Sequence, residues 1–123
     1  MESGMQILEN FQSSLQSGND LWKELIADDV RFEGPVDQVT GKENFIQLNE
    51  RFFPMVRGYE FLRGLEGENS VSTEVKFKVA TPDDGELDIH MAEFYDFEEG
   101  KIKQIKVFYD AEEFRKAFGI TCK

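Results

Sequence analysis

The stretch ELDIHMAEFYDFEEGKIKQIKVFYD, residues 86–110, is the part of the chain that predicts the fold most directly. From Leu87 to Phe97 every second residue is apolar or aromatic except Glu93, and the alternation returns from Ile105 to Tyr109 after the turn EEG. A period of two residues is typical of a β-strand with one buried face. The stretch therefore predicts two long antiparallel strands joined by a tight turn.

The rest of the chain supplies further strands and a group of helices. Strand alternation also occurs in residues 30–35, 59–66 and 71–79. The apolar spacing of helices occurs in residues 5–17, 21–27, 42–53 and 111–119. This order predicts an α+β fold, in which a strongly curved, cone-shaped antiparallel sheet has N-terminal helices packed over one face. Residues 1–123 are expected to form one domain, since no linker or repeat divides them.

The composition limits the classes of function. The 123 residues include 25 acidic and 14 basic side chains, which give a formal charge of -11. A field of that sign repels nucleic-acid phosphates and anionic lipid headgroups, so neither nucleic acid nor a membrane is expected as a partner. Cys122, the only cysteine, is expected to be an exposed thiol without a role. The N-terminus lacks signal-peptide character, and a cytoplasmic location is expected.

Motifs for covalent, nucleotide and metal chemistry are missing from the sequence. It contains no G-x-S-x-G, no glycine-rich phosphate loop and no dinucleotide fingerprint, so no cofactor is expected. His90 is the only histidine, and its parity places it on the sheet face opposite Glu93, where a surface or interface role is expected. Alternation scatters Asp88, His90, Glu93 and Asp96 over both faces, and no metal site is predicted.

Glu93 is the candidate catalytic residue. Alternation places its carboxyl among apolar side chains, where burial would raise its pKa and suit it to act as a general acid or base. The alternative is a buried ion pair with Arg63, which the same alternation predicts to face inward from its own strand. In that pair the carboxyl would stay ionised.

A small cone cannot fill its interior with all 12 phenylalanines and the other aromatic side chains, so a ligand cavity is expected. Its expected ligand-binding residues are Trp22, Phe32, Phe52, Tyr59, Arg63, Met91 and Tyr109. The outer face of the sheet has no helix to cover it, and Leu62, Phe94 and Phe108 stand on that face. A homodimer through these three residues is predicted, with a monomer as the alternative.

The order of two helices, DDVRFEGP, TGKENF on a third helix and four long strands ending in FEEGKIKQIKVFYD resembles the nuclear transport factor 2-like superfamily. The resemblance extends over residues 5–118 and is closest to the SnoaL-like and ketosteroid isomerase-like small proteins. It implies a cystatin-like α+β barrel with a pocket for a small molecule, and dimers that pack sheet against sheet.

The isomerase machinery transfers only in part. At the position of the general-base aspartate of the isomerases this chain has Gly34, and at the position of their first-helix tyrosine it has Phe11. Their second oxyanion-hole acid corresponds to Glu93. The resemblance therefore implies a SnoaL-like pocket protein that binds an apolar ligand, with proton transfer or hydration through Glu93 as the candidate reaction. The alternative is a noncatalytic homodimeric binding or protein-interaction module of the same fold.

Overall fold

The computed structural model describes residues 3–118, and Cys122 lies outside this range. The helices in the described part are α1 (Gly4–Ser17), α2 (Leu21–Glu24), α3 (Lys42–Phe52) and α4 (Glu112–Phe118), and a 3-10 turn (Phe53–Met55) follows α3. The strands are β1 (Ile26–Glu33), β2 (Gln38–Thr40), β3 (Val56–Gly67), β4 (Ser70–Ala80), β5 (Glu86–Glu98) and β6 (Lys101–Phe108). None of the helices in residues 3–118 has the length and apolar character needed to cross a bilayer.

Helix α1 begins and ends where its capping residues dictate. The Ser3 hydroxyl accepts a hydrogen bond from the Gln6 amide at 3.2 Å, which satisfies one of the free amides of the first turn. Gly18 ends the helix with φ +77°, a left-handed conformation that glycine adopts without strain. The face between these caps buries Ile7, Leu8 and Phe11 against the sheet.

The six strands form one curved, unclosed sheet in the order β2-β1-β6-β5-β4-β3, which confirms the α+β fold with a strongly curved sheet. Strands β3 to β6 form the predicted antiparallel meander. An antiparallel sheet was expected, but β1 pairs with β6 in parallel, so the sheet is mixed. After β1 the chain crosses to the far edge of the sheet at β3 and returns strand by strand, arriving beside β1 in the same direction.

Two elements differ from the sequence prediction near the start of the sheet. The second helix ends at Glu24 and does not continue to residue 27, because Ile26 enters β1, is fully buried and pairs with Ile102. The three-residue strand β2 was not predicted. It is held by backbone pairing with the end of β1 and lies at the sheet edge, so it has no apolar alternation to signal it.

A β-bulge in β3 reverses the orientation predicted for Arg63. Phe61 pairs with Val75 and Arg63 pairs with Glu74, so Leu62 is an extra residue on the β3 side. One extra residue moves every later side chain to the opposite face. Arg63 therefore lies on the outer face and is exposed, and the prediction that it faces inward was wrong.

The hydrophobic core lies between the inner face of the sheet and helices α1 and α3. It includes Val71, Val75 and Val79 of β4, whose side chains are at most 1% exposed. Leu8 of α1 packs against this face and is 1% exposed.

We expect Leu8→Ala to lower the free energy of unfolding by about 2–5 kcal/mol, because it removes buried methyl groups and leaves a cavity. Leu21→Ala is the control, since Leu21 is 52% exposed on α2, and it should change stability by less than about 0.5 kcal/mol. Urea denaturation followed by circular dichroism measures both variants. Equal losses of stability would contradict the assignment of the core.

Candidate functional site

A cavity of about 330 Å³ lies between the helices and the inner face of the sheet. Its walls are mainly apolar and come from α1, α3, β1 and the four meander strands, with residues such as Phe11, Phe32, Phe45, Phe52, Phe77, Ile89, Met91, Ile105, Val107 and Phe114. Its volume is at the lower end of the usual range for small-molecule sites, about 300–1,000 Å³. Glu93 and Tyr95 are buried at the closed end, whereas Gln16, Asp37 and Arg51 are exposed at the rim.

Glu93 is the polar group at the closed end of this cavity. It lies on β5, is 7% exposed, and pairs across the sheet with Thr73 of β4. The Thr73 hydroxyl donates a hydrogen bond to Glu93 Oε1 at 2.9 Å, and Tyr95 also hydrogen-bonds to the carboxyl. Burial raises the pKa of Glu93, and the hydrogen bonds from Thr73 and Tyr95 offset only part of that rise. The raised pKa favours the protonated, hydrogen-bond-donating form.

The ion pair between Glu93 and Arg63 that was considered as an alternative does not form. Arg63 Nε donates to Glu74 Oε1 at 2.9 Å on the outer face, where Glu74 Oε2 also contacts His90 Nε2 at 2.6 Å. Within residues 3–118, no cation lies within ion-pair distance of Glu93. His90 faces away from the cavity, as its parity predicts.

Tyr59 provides a second polar group near Glu93. Its hydroxyl accepts a hydrogen bond from Gln12 Nε2 of α1 at 2.9 Å. Burial, together with the negative charge of ionised Glu93, raises the pKa of Tyr59 to about 12, so the phenol keeps its proton at neutral pH. Because Gln12 occupies the oxygen as a donor, the phenol hydrogen remains available to a ligand.

The structure brings most of the predicted ligand-binding residues to one cavity. Its lining includes Phe32, Phe52, Tyr59, Met91 and Tyr109. Burial raises the pKa of Tyr109 to about 12, with a contribution from the charge of Asp37. Two of the predicted residues lie elsewhere, and Arg63 is one of them.

Trp22 is the other residue that lies outside the cavity. It packs edge-to-face on Phe11, with ring centroids 6.1 Å apart, on the side of α1 toward α2. Its backbone amide donates to the Ser14 hydroxyl at 2.8 Å, which holds α2 against α1. Trp22 therefore belongs to the core, and its prediction as a ligand-binding residue was wrong.

Sequence reasoning missed Gln12, Thr73 and Asp37 and counted Tyr95 only as one of an apolar row. Thr73 had a usable signal, because pairing the two alternating segments around TPDDG in register places it directly opposite Glu93. Gln12 had none, since its contact with Tyr59 joins residues 47 positions apart. Asp37 follows β1 in a turn where no periodicity indicates direction.

Gly34 shows why the isomerase base is absent from this site. A Cβ atom at Gly34 would lie 2.9 Å from Val107 Cγ2, closer than real Cβ contacts allow. An aspartate there would require Val107 to move. Asp37, whose backbone carbonyl accepts a hydrogen bond from the Gly34 amide at 2.8 Å, carries a carboxyl at the rim instead.

Comparison with protein-family models assigns the chain. Residues 8–105 match the model of the SnoaL-like domain, which is most of the sequence. The chain belongs to the SnoaL-like domain family. A comparison with curated protein sequences gave no match.

Solved structures share the fold of this SnoaL-like protein at low sequence identity. An NTF2-like protein of unknown function from Burkholderia pseudomallei K96243 has a TM-score of 0.80 at 14% identity, covering 99% of this chain and 100% of the other. A protein assigned as a SnoaL-like polyketide cyclase from Mesorhizobium loti has a TM-score of 0.72 at 20% identity, covering 88% and 100%. A protein assigned as an isomerase from Rhodopseudomonas palustris has a TM-score of 0.72 at 17% identity, covering 89% and 90%.

We expect Glu93 to titrate above the ordinary glutamate pKa of 4.5, because burial disfavours its ionised form. Carboxyl-carbon NMR measures this titration. Thr73→Val should raise the pKa further, since it removes a donor that stabilises the carboxylate. A Glu93 pKa at or below the ordinary value would contradict the assignment of a proton donor.

The same shift has a consequence for stability. The folded protein binds the Glu93 proton more tightly than the unfolded chain does, and this difference adds to the free energy of unfolding. The added stability is fully present at any pH below the pKa that Glu93 has in the unfolded chain. This added stability is lost as the pH rises through the pKa that Glu93 has in the folded protein. Glu93→Gln should remove this part of the pH dependence of unfolding.

Proposed function

We propose that this protein binds a small, mainly apolar ligand with a hydrogen-bond acceptor such as a carbonyl oxygen, and that Glu93 transfers a proton during its conversion. The observation that supports this most strongly is a buried carboxyl with a raised pKa at the closed end of an apolar cavity. Perturbed carboxyls in clefts are typical of catalytic acids and bases. The activities assigned to the proteins from Mesorhizobium loti and Rhodopseudomonas palustris are compatible with a catalytic cavity in this fold.

The chemistry follows from the two donors. A protonated Glu93 would donate its hydrogen to the ligand oxygen, and Tyr59 would donate a second hydrogen bond from β3, which is separated from β5 by β4. Two donors in a site shielded from water stabilise negative charge that develops on that oxygen. A water molecule would then remove a proton from the neighbouring carbon as the ligand oxygen takes the proton of Glu93, which gives an enol, and the Glu93 carboxylate would recover a proton from the hydronium formed. In the same way, water would add to a conjugated double bond and give up its extra proton to the Glu93 carboxylate.

A second candidate function, a noncatalytic homodimeric binding module, is supported by the outer face of the sheet. Phe94 of β5 and Phe108 of β6 pack edge-to-face with centroids 5.6 Å apart, yet they are 45% and 57% exposed. Leu65, opposite Ser72, stands on the same face and is 67% exposed. Leu62, which was predicted to join this patch, is the extra residue of the bulge and is 37% exposed.

For the ligand, we expect 2-acetylnaphthalene to bind more tightly than 2-ethylnaphthalene, which has the same ring system but no oxygen. The difference should be about fivefold or more, as one or two hydrogen bonds to a neutral acceptor contribute about 1 kcal/mol each. Tyr59→Phe should reduce this difference in affinity, because it removes one of the two donors. Isothermal titration calorimetry measures both affinities. If neither compound binds, the result would favour the noncatalytic module.

For the proton transfer, Glu93→Gln is the informative variant. Glutamine keeps an N–H group that can donate a hydrogen bond, but its amide cannot give up and take back a proton as a carboxyl group does. We expect it to retain ketone binding and to lose at least about tenfold in the exchange of the methyl-ketone hydrogens with D₂O. Proton NMR follows this exchange. Glu98→Gln on the exposed face of β5 is the matched control and should exchange like the wild type.

For the assembly, we propose a homodimer through the outer face and expect sedimentation equilibrium at micromolar concentration to give twice the chain mass of 14.2 kDa. Phe94→Glu should shift the protein toward monomer, because it would replace an apolar contact by two carboxylates that lose their hydration on burial across the two-fold axis. Leu21→Glu places the same charge on an exposed residue of α2 and should leave the mass unchanged. A wild-type mass of one chain would contradict the dimer.

A further inference from the structure

The rim of the cavity carries one positive and one negative charge, although the protein as a whole has a formal charge of -11. Arg51 and Asp37 line the rim itself. Arg115 lies behind it, and its guanidinium donates to the Pro35 carbonyl at 2.9 Å. A cation is therefore present at the place where a ligand enters.

Asp37 and Arg115 belong to the same side of the opening. Both act on Tyr109, whose pKa is raised by the charge of Asp37 and lowered by that of Arg115. The negative charge of Asp37 thus has a positive charge close to it. Arg51 lies in the last turn of α3, on another element of the rim.

Arg51 differs from the neighbouring cations in having no protein partner within residues 3–118. Lys23 pairs with Asp20 at 3.2 Å and Glu50 at 3.6 Å, and Arg57 donates to the Pro54 carbonyl at 2.7 Å. The Arg51 side chain is exposed and makes no ion pair or hydrogen bond with the described residues. In a chain with so many acidic side chains, an unpaired guanidinium at the mouth of an apolar cavity is available to a ligand.

We propose that Arg51 binds a carboxylate at the solvent end of the ligand, so that the ligand is an amphipathic acid with an apolar body. The inference rests on the proposed function, because it uses the same cavity with the acceptor oxygen at Glu93. The planar guanidinium matches a carboxylate with two parallel hydrogen bonds. One unpaired arginine suits a single negative charge better than a phosphate dianion.

The arrangement also determines which way the ligand enters. A carboxylate at the closed end would lie beside Glu93 without a cation within residues 3–118 to balance it, and burying it there would be costly. At the rim it remains partly hydrated and meets Arg51. The apolar body then occupies the aromatic walls between the two polar ends.

The test compares two probes that differ in one group, 6-acetyl-2-naphthoate and 2-acetylnaphthalene. In the wild type we expect the naphthoate to bind about fivefold more tightly, the size of effect expected for a partly exposed ion pair. Added NaCl should weaken the binding of the naphthoate more than that of 2-acetylnaphthalene, because salt screens the ion pair with Arg51. Arg51→Gln should remove the difference between the probes, by lowering the affinity for the naphthoate much more than the affinity for 2-acetylnaphthalene.

Arg57→Gln is the matched control, because Arg57 is an exposed arginine outside the cavity lining. It should leave both affinities unchanged in calorimetric titrations. Equal binding of the two probes, or a naphthoate affinity that does not respond to Arg51→Gln, would overturn this inference and leave the proposed function standing. Absence of binding by both probes would overturn the two proposals together.

Discussion

The uninterrupted antiparallel pairing of β4 with β5 is the constraint on which the rest of the structure depends. Residues 70–80 pair with residues 86–96 without a bulge, so a single register determines which side chains face the helices. A shift by one residue would expose the buried valines of β4 and turn Phe94 and His90 inward. The core, the cavity and the position of Glu93 all follow from this one alignment.

Within that alignment, Glu93 is the residue that does not serve the core. A buried carboxyl without a cation among the described residues lowers stability relative to an apolar side chain of similar size. The Thr73 and Tyr95 hydroxyls satisfy its hydrogen bonds, and within the described residues every buried side-chain polar atom has a partner. A fully bonded but electrostatically uncompensated acid at the end of a cavity is consistent with a role in chemistry rather than in folding.

The sequence was sufficient for the long strands, the first helix, the inward position of Glu93 and the outward position of His90, because each follows from a period maintained over many residues. It was insufficient wherever one local event breaks the period. The extra residue in β3 changed the face of Arg63, and no side-chain pattern marks such a bulge. The parallel pairing of β1 with β6 and the contact of Gln12 with Tyr59 join distant segments, and local periodicity contains no information about them. Tryptophan is a residue type that often lines pockets, but the short helix α2 directs Trp22 against α1.

The irregularities of β3 also bear on strand addition at this edge of the sheet. Within residues 3–118, this strand of 12 residues is the outer strand on its side of the sheet, and its edge is free of a neighbouring strand. A long, regular edge with exposed apolar residues such as Phe61 and Leu65 would be a template for amyloid-like pairing. Register shifts after Val56 and Phe61 divide the edge into short segments with different twist. A docking strand would lose its register at each shift, so the bulge that turned Arg63 outward also makes this edge a poorer template for strand addition.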